Sequence, residues 1–197
     1  MTEEIRQKLT GAVIGLARTC ENNEKTESTD RVFLEALTMA GDWSASIFDM
    51  SEMLEKARKY EAEQGLKIKA EDRPAFHVSP YVGWMNDPNG FSCYQGEYHL
   101  FYQYNPYDTH WNSMHWGHVV SKDLLHWEYL PAALAPDEDY DKIGCFSGSA
   151  IELDDGRQLL IYTAVDQETL EDGTARDIQT QAVAVGDGKN YKKYEKN

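Results

Sequence analysis

Apolar residues recur at spacings of three and four through positions 1–70, and at spacings of two after Pro74. The first spacing follows one face of a helix; the second follows a strand, whose side chains alternate. Ile5, Leu9, Ala12, Val13 and Leu16 form one stripe of an amphipathic helix. The polar stretch 21–30 interrupts it, and Ser28, Thr29 and Asp30 are side chains that open helices well. Phe33, Leu34, Leu37 and Ala40 predict a second helix, ended by Gly41. A third is predicted over residues 42–64, with Ile47, Met50, Leu54 and Ala57 inward and Gly65 as its stop. Glu52/Lys56 and Glu55/Lys59 pair by spacing on its outer side. Nothing in this stretch carries chemistry. Its expected role is packing, with capping or self-association as alternatives.

The strands come as hairpins. Residues 91–94, the turn Gln95-Gly96 and residues 97–105 read as one. In its second arm Tyr98, Leu100, Tyr102 and Tyr104 share one face, while His99, Phe101, Gln103 and Asn105 share the other. Residues 145–153 and 157–165 flank Asp154-Asp155-Gly156 as a second hairpin. Asp172-Gly173 and Asp187-Gly188 bracket a further strand at 179–185. Successive hairpins without intervening helices predict a mainly β region, 71–197, as a sandwich, barrel or propeller, preceded by a helical N-terminal extension, 1–70.

A formal net charge of −15 argues against nucleic acid and anionic membrane as partners, since both demand a concentrated basic surface. Lys189, Lys192, Lys193 and Lys196 are expected to be a solvated face. Cys20, Cys93 and Cys145 form no Cys-x-x-Cys pair, so neither a disulfide framework nor a zinc site is indicated. The acidic start and short apolar run 12–17 do not read as a secretion signal, and no segment approaches a membrane span. A cytoplasmic protein without a cofactor is expected.

The segment Trp84-Met85-Asn86-Asp87-Pro88-Asn89-Gly90 carries the most chemistry. Pro88 fixes φ and Asn89-Gly90 tolerates positive φ, so a turn is expected there, holding the Asp87 carboxylate at a rigid rim. As an isolated feature, Asp87 could simply start that turn. Gln103 sits mid-strand among aromatics, where its amide needs a partner: a ligand hydroxyl, a neighbouring strand or water. Ser147-Gly148-Ser149 is small enough for close approach by a substrate or for a plain bulge. His110, His115 and His118 invite thought of a metal, but 115 and 118 fall on opposite faces of a strand.

The chain resembles glycoside hydrolase family 32, the invertases, sucrose-6-phosphate hydrolases and fructan hydrolases. The matching segments run in the family's order: His77-Val-Ser-Pro80, WMNDPNG at 84–90, YHLFYQYNP at 98–106, His115-Trp-Gly-His118, and 121–151. They cover nearly everything from residue 74 onward. The resemblance implies a five-bladed β-propeller with an axial active site, of which 71–197 would form two to three blades at ~40–50 residues each. It implies that Asp87 is the nucleophile attacking the anomeric carbon of a terminal β-fructofuranosyl unit, in sucrose or sucrose 6-phosphate, with retention. It also implies that Trp84, Met85, Asn86, Gln103, Trp111, Phe146 and Ser147 line the fructose site.

Asn112 and Ala164 stand where the family usually has Gly. The larger departure concerns the second half of the site. The family's acid/base Glu lies in a Glu-Cys motif and its transition-state stabiliser in Arg-Asp-Pro. Here no Glu-Cys pair occurs, and Arg176-Asp177 is followed by Ile178 and reads as a polar loop. The sequence is therefore expected to be an N-terminal part of such an enzyme, inactive by itself and prone to associate through its helices or open propeller edges. The alternative is a non-catalytic carbohydrate-binding or interaction module built on the same fold.

Overall fold

The computed structural model describes residues 50–197. The two helices predicted from residues 5–16 and 33–40, together with Cys20 and Ile47, lie outside the described residues. Ser51 is extended (φ −63°, ψ 151°) and its hydroxyl accepts from the Leu54 N–H at 3.2 Å. This cap starts helix α1 (Glu52–Gly65) at Glu52, so the predicted helix does not run through from residue 42. Leu54 and Ala57 are buried as the periodicity requires, but Met50, ahead of the cap, is 40% exposed rather than inward. Gly65 is the helix's last residue, and the space there is small: a Cβ would run into the ring of Tyr81.

Eight strands follow. β1 (Trp84–Tyr94), β2 (Glu97–Asn105), β3 (His115–Ser121) and β4 (Glu128–Leu134) form one antiparallel sheet in chain order. β5 (Gly144–Glu152), β6 (Gln158–Thr169), β7 (Ala175–Gly186) and β8 (Tyr191–Lys193) form a second. The hairpin turns fall where Gln95-Gly96 and Asp154-Asp155-Gly156 predicted them, and β7 contains the predicted strand at 179–185.

The alternation along β2 decides the core. Phe101 packs with Trp116, Leu160 and Tyr162 in a cluster shared by the two sheets. Tyr102 and Tyr104, on the other face, join Leu54 and Val119 in a cluster beneath α1. The helix also satisfies the outer edge of β4: the Ala132 N–H donates to Glu61 Oε1 (3.0 Å), and Arg58 Nε donates to the Ala132 carbonyl (2.9 Å). Two side chains thus do what a further strand would do for that residue.

Three expectations need correction. Asp87-Pro88-Asn89-Gly90 is not a turn but a stretch within β1, which takes up the awkward residues as register shifts between Met85 and Pro88 and between Asn89 and Ser92. Gly90 has φ +51°, and a Cβ on it would meet the Phe101 ring at 2.8 Å. Arg176 and Asp177 lie within β7, opposite Glu168 and Gln167, not in a loop. Lys193 is not on a solvated face: it is buried against Asp137 and against Asp141, whose Oδ2 lies 2.5 Å from its Nζ.

Candidate functional site

Asp87 sits near the start of β1 and is exposed. Across from it, near the start of β5, the register steps from Phe146↔Thr163 to Gly148↔Tyr162, leaving Ser147 as the extra residue of a bulge. Gly148 permits this step, because a Cβ there would overlap the Ile161 carbonyl. The bulge turns Ser147 Oγ toward Asp87, to whose Oδ2 it donates at 3.2 Å. One carboxylate oxygen is thereby fixed, which orients the other.

Beside this pair the Trp111 indole meets the Phe146 ring edge to face, with centroids 6.1 Å apart at 87°. Trp111 is 52% exposed on the β2–β3 connection, so one large aromatic surface stands open at the site. Phe146 is itself anchored: its carbonyl accepts from the buried Trp116 Nε1 at 3.1 Å. A carboxylate, a hydroxyl and an exposed indole at one rim can together meet the polar edge and the apolar face of a sugar.

Gln103 lies behind this surface, only 4% exposed, and its amide donates to the Cys145 carbonyl at 2.9 Å. With the Asn89 amide oxygen turned toward it, Asn89 accepts from Gln103 N (3.3 Å) and Nε2 (2.9 Å) and donates to the Pro88 carbonyl (3.2 Å). Of the partners open to Gln103, neighbouring strands supply these. The two amides tie the residue after Pro88 to the residue before Phe146, and so hold β1 and β5 in the spacing that lets Asp87 meet Ser147. From sequence Asn89 reads only as a turn former; its spacing of two from the exposed Asp87 would put both on one strand face, so the pattern gave no sign that Asn89 is buried. Asn86 is exposed beside Asp87, Trp84 is half-buried, and Met85 packs against the cluster beneath α1.

The histidines do not converge. His118 Nε2 and His99 Nδ1 share a hydrogen bond of 2.9 Å in the core, and burial holds both below the ordinary histidine range. His115 bonds to the Ser113 carbonyl, and burial pushes it down to about 4. His110 Nδ1 lies 2.9 Å from Asp108 Oδ1 on the surface. Among the described residues no group of three or more His, Cys, Asp or Glu could hold a metal ion.

A cavity of about 300 Å³ lies elsewhere, between α1, β4 and β8. Its charges are already committed: Lys193 donates to the Ala135 carbonyl (2.6 Å) as well as to Asp137 and Asp141, and Arg58 Nη1 donates to Asn190 (2.8 Å). Its groups answer one another, whereas Asp87, Ser147 and Trp111 face outward.

Comparison with known proteins gives the site its context. The sequence model of the glycosyl hydrolases family 32 N-terminal domain matches residues 77–197. A sucrose-6-phosphate hydrolase of Zymomonas mobilis is 45% identical over 142 residues, covering 70% of this chain and 27% of that protein. A β-fructofuranosidase of Zea mays is 53% identical over 97 residues, 49% of this chain and 14% of the relative. Among solved structures, a variant of the family 32 β-fructofuranosidase of Bombyx mori in complex with sucrose superimposes with a TM-score of 0.66. It shares 43% identity over 75% of this chain and 31% of that one. A sucrose-6-phosphate hydrolase from Lactobacillus gasseri gives 0.55, with 36% identity over 79% of this chain and 28% of that one. The chain thus spans less than a third of the length of each of these proteins.

Proposed function

The chain belongs to glycosyl hydrolase family 32, and from that premise we propose that Asp87 is the nucleophile of a retaining enzyme that hydrolyses terminal β-fructofuranosyl linkages of sucrose-type sugars. The observation that carries this reading is the exposed Asp87 carboxylate, fixed through one oxygen by Ser147 at the rim where β1 and β5 begin. The two four-stranded sheets would be neighbouring blades of a five-bladed propeller, with these strand starts facing its axis.

In the proposed reaction the free Asp87 oxygen attacks the fructosyl anomeric carbon. The bond to the leaving oxygen breaks, and that oxygen takes a proton from a second carboxyl group. Water then attacks the fructosyl ester from the face the first sugar left, giving its proton to the same second group, so configuration is retained. Asp87 accepts from Ser147 throughout, and Trp111 offers its face to the sugar ring. The family's second carboxyl belongs to a Glu-Cys pair, and none occurs in the 197 residues. The activity proposed is therefore that of a polypeptide carrying both groups.

Asp87→Asn in that enzyme is the test. It should keep the fold and bind sucrose while losing roughly 10⁴-fold or more in kcat, the scale expected for loss of a covalent catalyst. Release of fructose from sucrose at the wild-type rate by the variant would overturn the assignment.

A further inference from the structure

β1 and β5 both begin at the end of their sheets where Asp87 meets Ser147. β6 runs back toward that end, and its register with β5 closes at Val165 opposite Gly144. β6 and β7 do not stop there. They continue as a two-stranded arm through Asp166↔Ile178, Gln167↔Asp177, Glu168↔Arg176 and Thr169↔Ala175. At ~3.3 Å per residue those pairs carry the arm on the order of 10 Å past the first residue of β5. The arm is well held: Gln167 Nε2 donates to Asp177 Oδ1 (3.0 Å), Arg176 pairs with Glu168, and Asp172 accepts from Thr174 N (2.9 Å) and Oγ1 (2.6 Å) at its tip.

In a retaining displacement the leaving group lies on the far side of the anomeric carbon from the nucleophile. With the fructosyl unit against Asp87, the second sugar points out beyond the strand starts, to the height at which the arm stands. The arm is acidic there. Glu168 neutralises Arg176, which leaves Asp166, Glu171, Asp172 and Asp177. The connection from β4 to β5 reaches the same end; its Lys142 lies 2.8 Å from Asp139 and also feels Asp166, so it offsets only part of the arm's charge. These segments offer a phosphate a field of its own sign.

We propose that the β6–β7 arm flanks the leaving-group side of the site and that its carboxylates make the enzyme select neutral sucrose over sucrose 6-phosphate. The inference rests on the fructofuranosidase reading above and narrows it. Exposed charges at this range are partly screened, so the discrimination contributed by the arm should be roughly threefold at 0.15 M ionic strength and roughly tenfold near 0.01 M.

The test measures kcat/KM for both sugars at both ionic strengths in the enzyme carrying both carboxyl groups. Three forms are compared: wild type, an arm variant (Asp166→Asn, Glu171→Gln, Asp177→Asn), and a control that removes three charges at the opposite sheet end (Glu97→Gln, Glu128→Gln, Asp154→Asn). Wild type should favour sucrose, more strongly in low salt; the arm variant should lose most of that preference and its salt dependence; the control should keep both. A wild-type preference for sucrose 6-phosphate, a ratio indifferent to the arm, or an equal shift in the control would overturn the proposal. Absence of fructose from either sugar would instead overturn the reading of function, so the two failures are distinguishable.

Discussion

Among the described residues Asp87 is held by one side-chain hydrogen bond, and the residues that make that bond possible contribute backbone geometry more than chemistry. Ser147 reaches it because Gly148 lets β5 bulge, and the two strands stay at the right spacing because Gln103 and Asn89 brace them from behind. Trp111 is different: among the described residues it is open and rests edge to face on Phe146. Truncating it should cost little stability and mostly binding. Trp111→Ala in the complete enzyme should lower kcat/KM on sucrose by about tenfold to a hundredfold, corresponding to ~1–3 kcal/mol of transition-state stabilisation. An unchanged kcat/KM would remove the indole from the site. At this scale much was legible, because Asp87, Trp111 and Ser147 sit in motifs whose order repeats a known family. What was not legible is pairing across distance: the partners of Lys193 lie 56 and 52 positions away. No local pattern distinguishes a lysine buried by such partners from its solvated neighbours.

Elements were legible where the turn chemistry was unambiguous. Asp-Gly and Gln-Gly turns marked the hairpins correctly, and the face assignment along β2 follows from alternation alone. Asp-Pro-Asn-Gly misled because a bulge asks for the same residues as a turn: one that restricts φ and one that accepts positive φ. Arg176-Asp177 misled because both faces of the arm are exposed, so β7 begins without the apolar alternation that announces a strand. Helix α1 shows the reverse case, a helix whose buried residues include a carboxylate. Glu61 Oε2 has no hydrogen-bond partner in the described structure, and Arg58, Tyr102, Tyr104 and Tyr107 are the charged or titratable groups around it. Burial, opposed by the Ala132 N–H and by Arg58, raises its pKa to about 7 from 4.5. The folded state therefore holds the proton more tightly than the unfolded chain. The stability this confers is full below pH 4.5 and is lost as pH rises through 7. Glu61→Gln, which keeps the acceptor for Ala132, should raise stability at pH 8 by about 1–3 kcal/mol and change it little at pH 4. Urea denaturation at the two pH values measures this, and a variant weaker than wild type at pH 8 would show the charged Glu61–Arg58 pair to be productive instead.

At the largest scale, among the described residues, the two sheets pack on each other through one face of each and leave part of the second sheet's other face open. Leu160, Tyr162, Ala164 and Ala184 face the first sheet; of the residues that alternate with them, Leu159, Val165 and Val183 are buried, Ile161 and Val185 are half-buried, and Ile151 on β5 is exposed. That is an apolar sheet face suited to packing against another sheet, as neighbouring blades do. The edges carry the same message. β8 pairs with β7 only at residues 184–186, so among the described residues no strand lies against the outer edge of β7 over residues 175–182. Unpaired edges and uncovered apolar faces both favour association, since a second chain can supply the missing backbone partners and the missing contacts. The 197-residue polypeptide expressed by itself is therefore expected to be oligomeric or to aggregate, and to release no reducing sugar from sucrose, because the proposed nucleophile Asp87 would act without a Glu-Cys proton donor. Light scattering on purified polypeptide reads the first expectation and a reducing-sugar assay on the same sample reads the second. A monodisperse monomer would show that the Ile151–Val185 face tolerates solvent and would remove the packing argument. Turnover of sucrose at the rate of a complete fructofuranosidase would be the more serious result, since it would require a second carboxyl group within these residues and so a different account of how the leaving oxygen receives its proton.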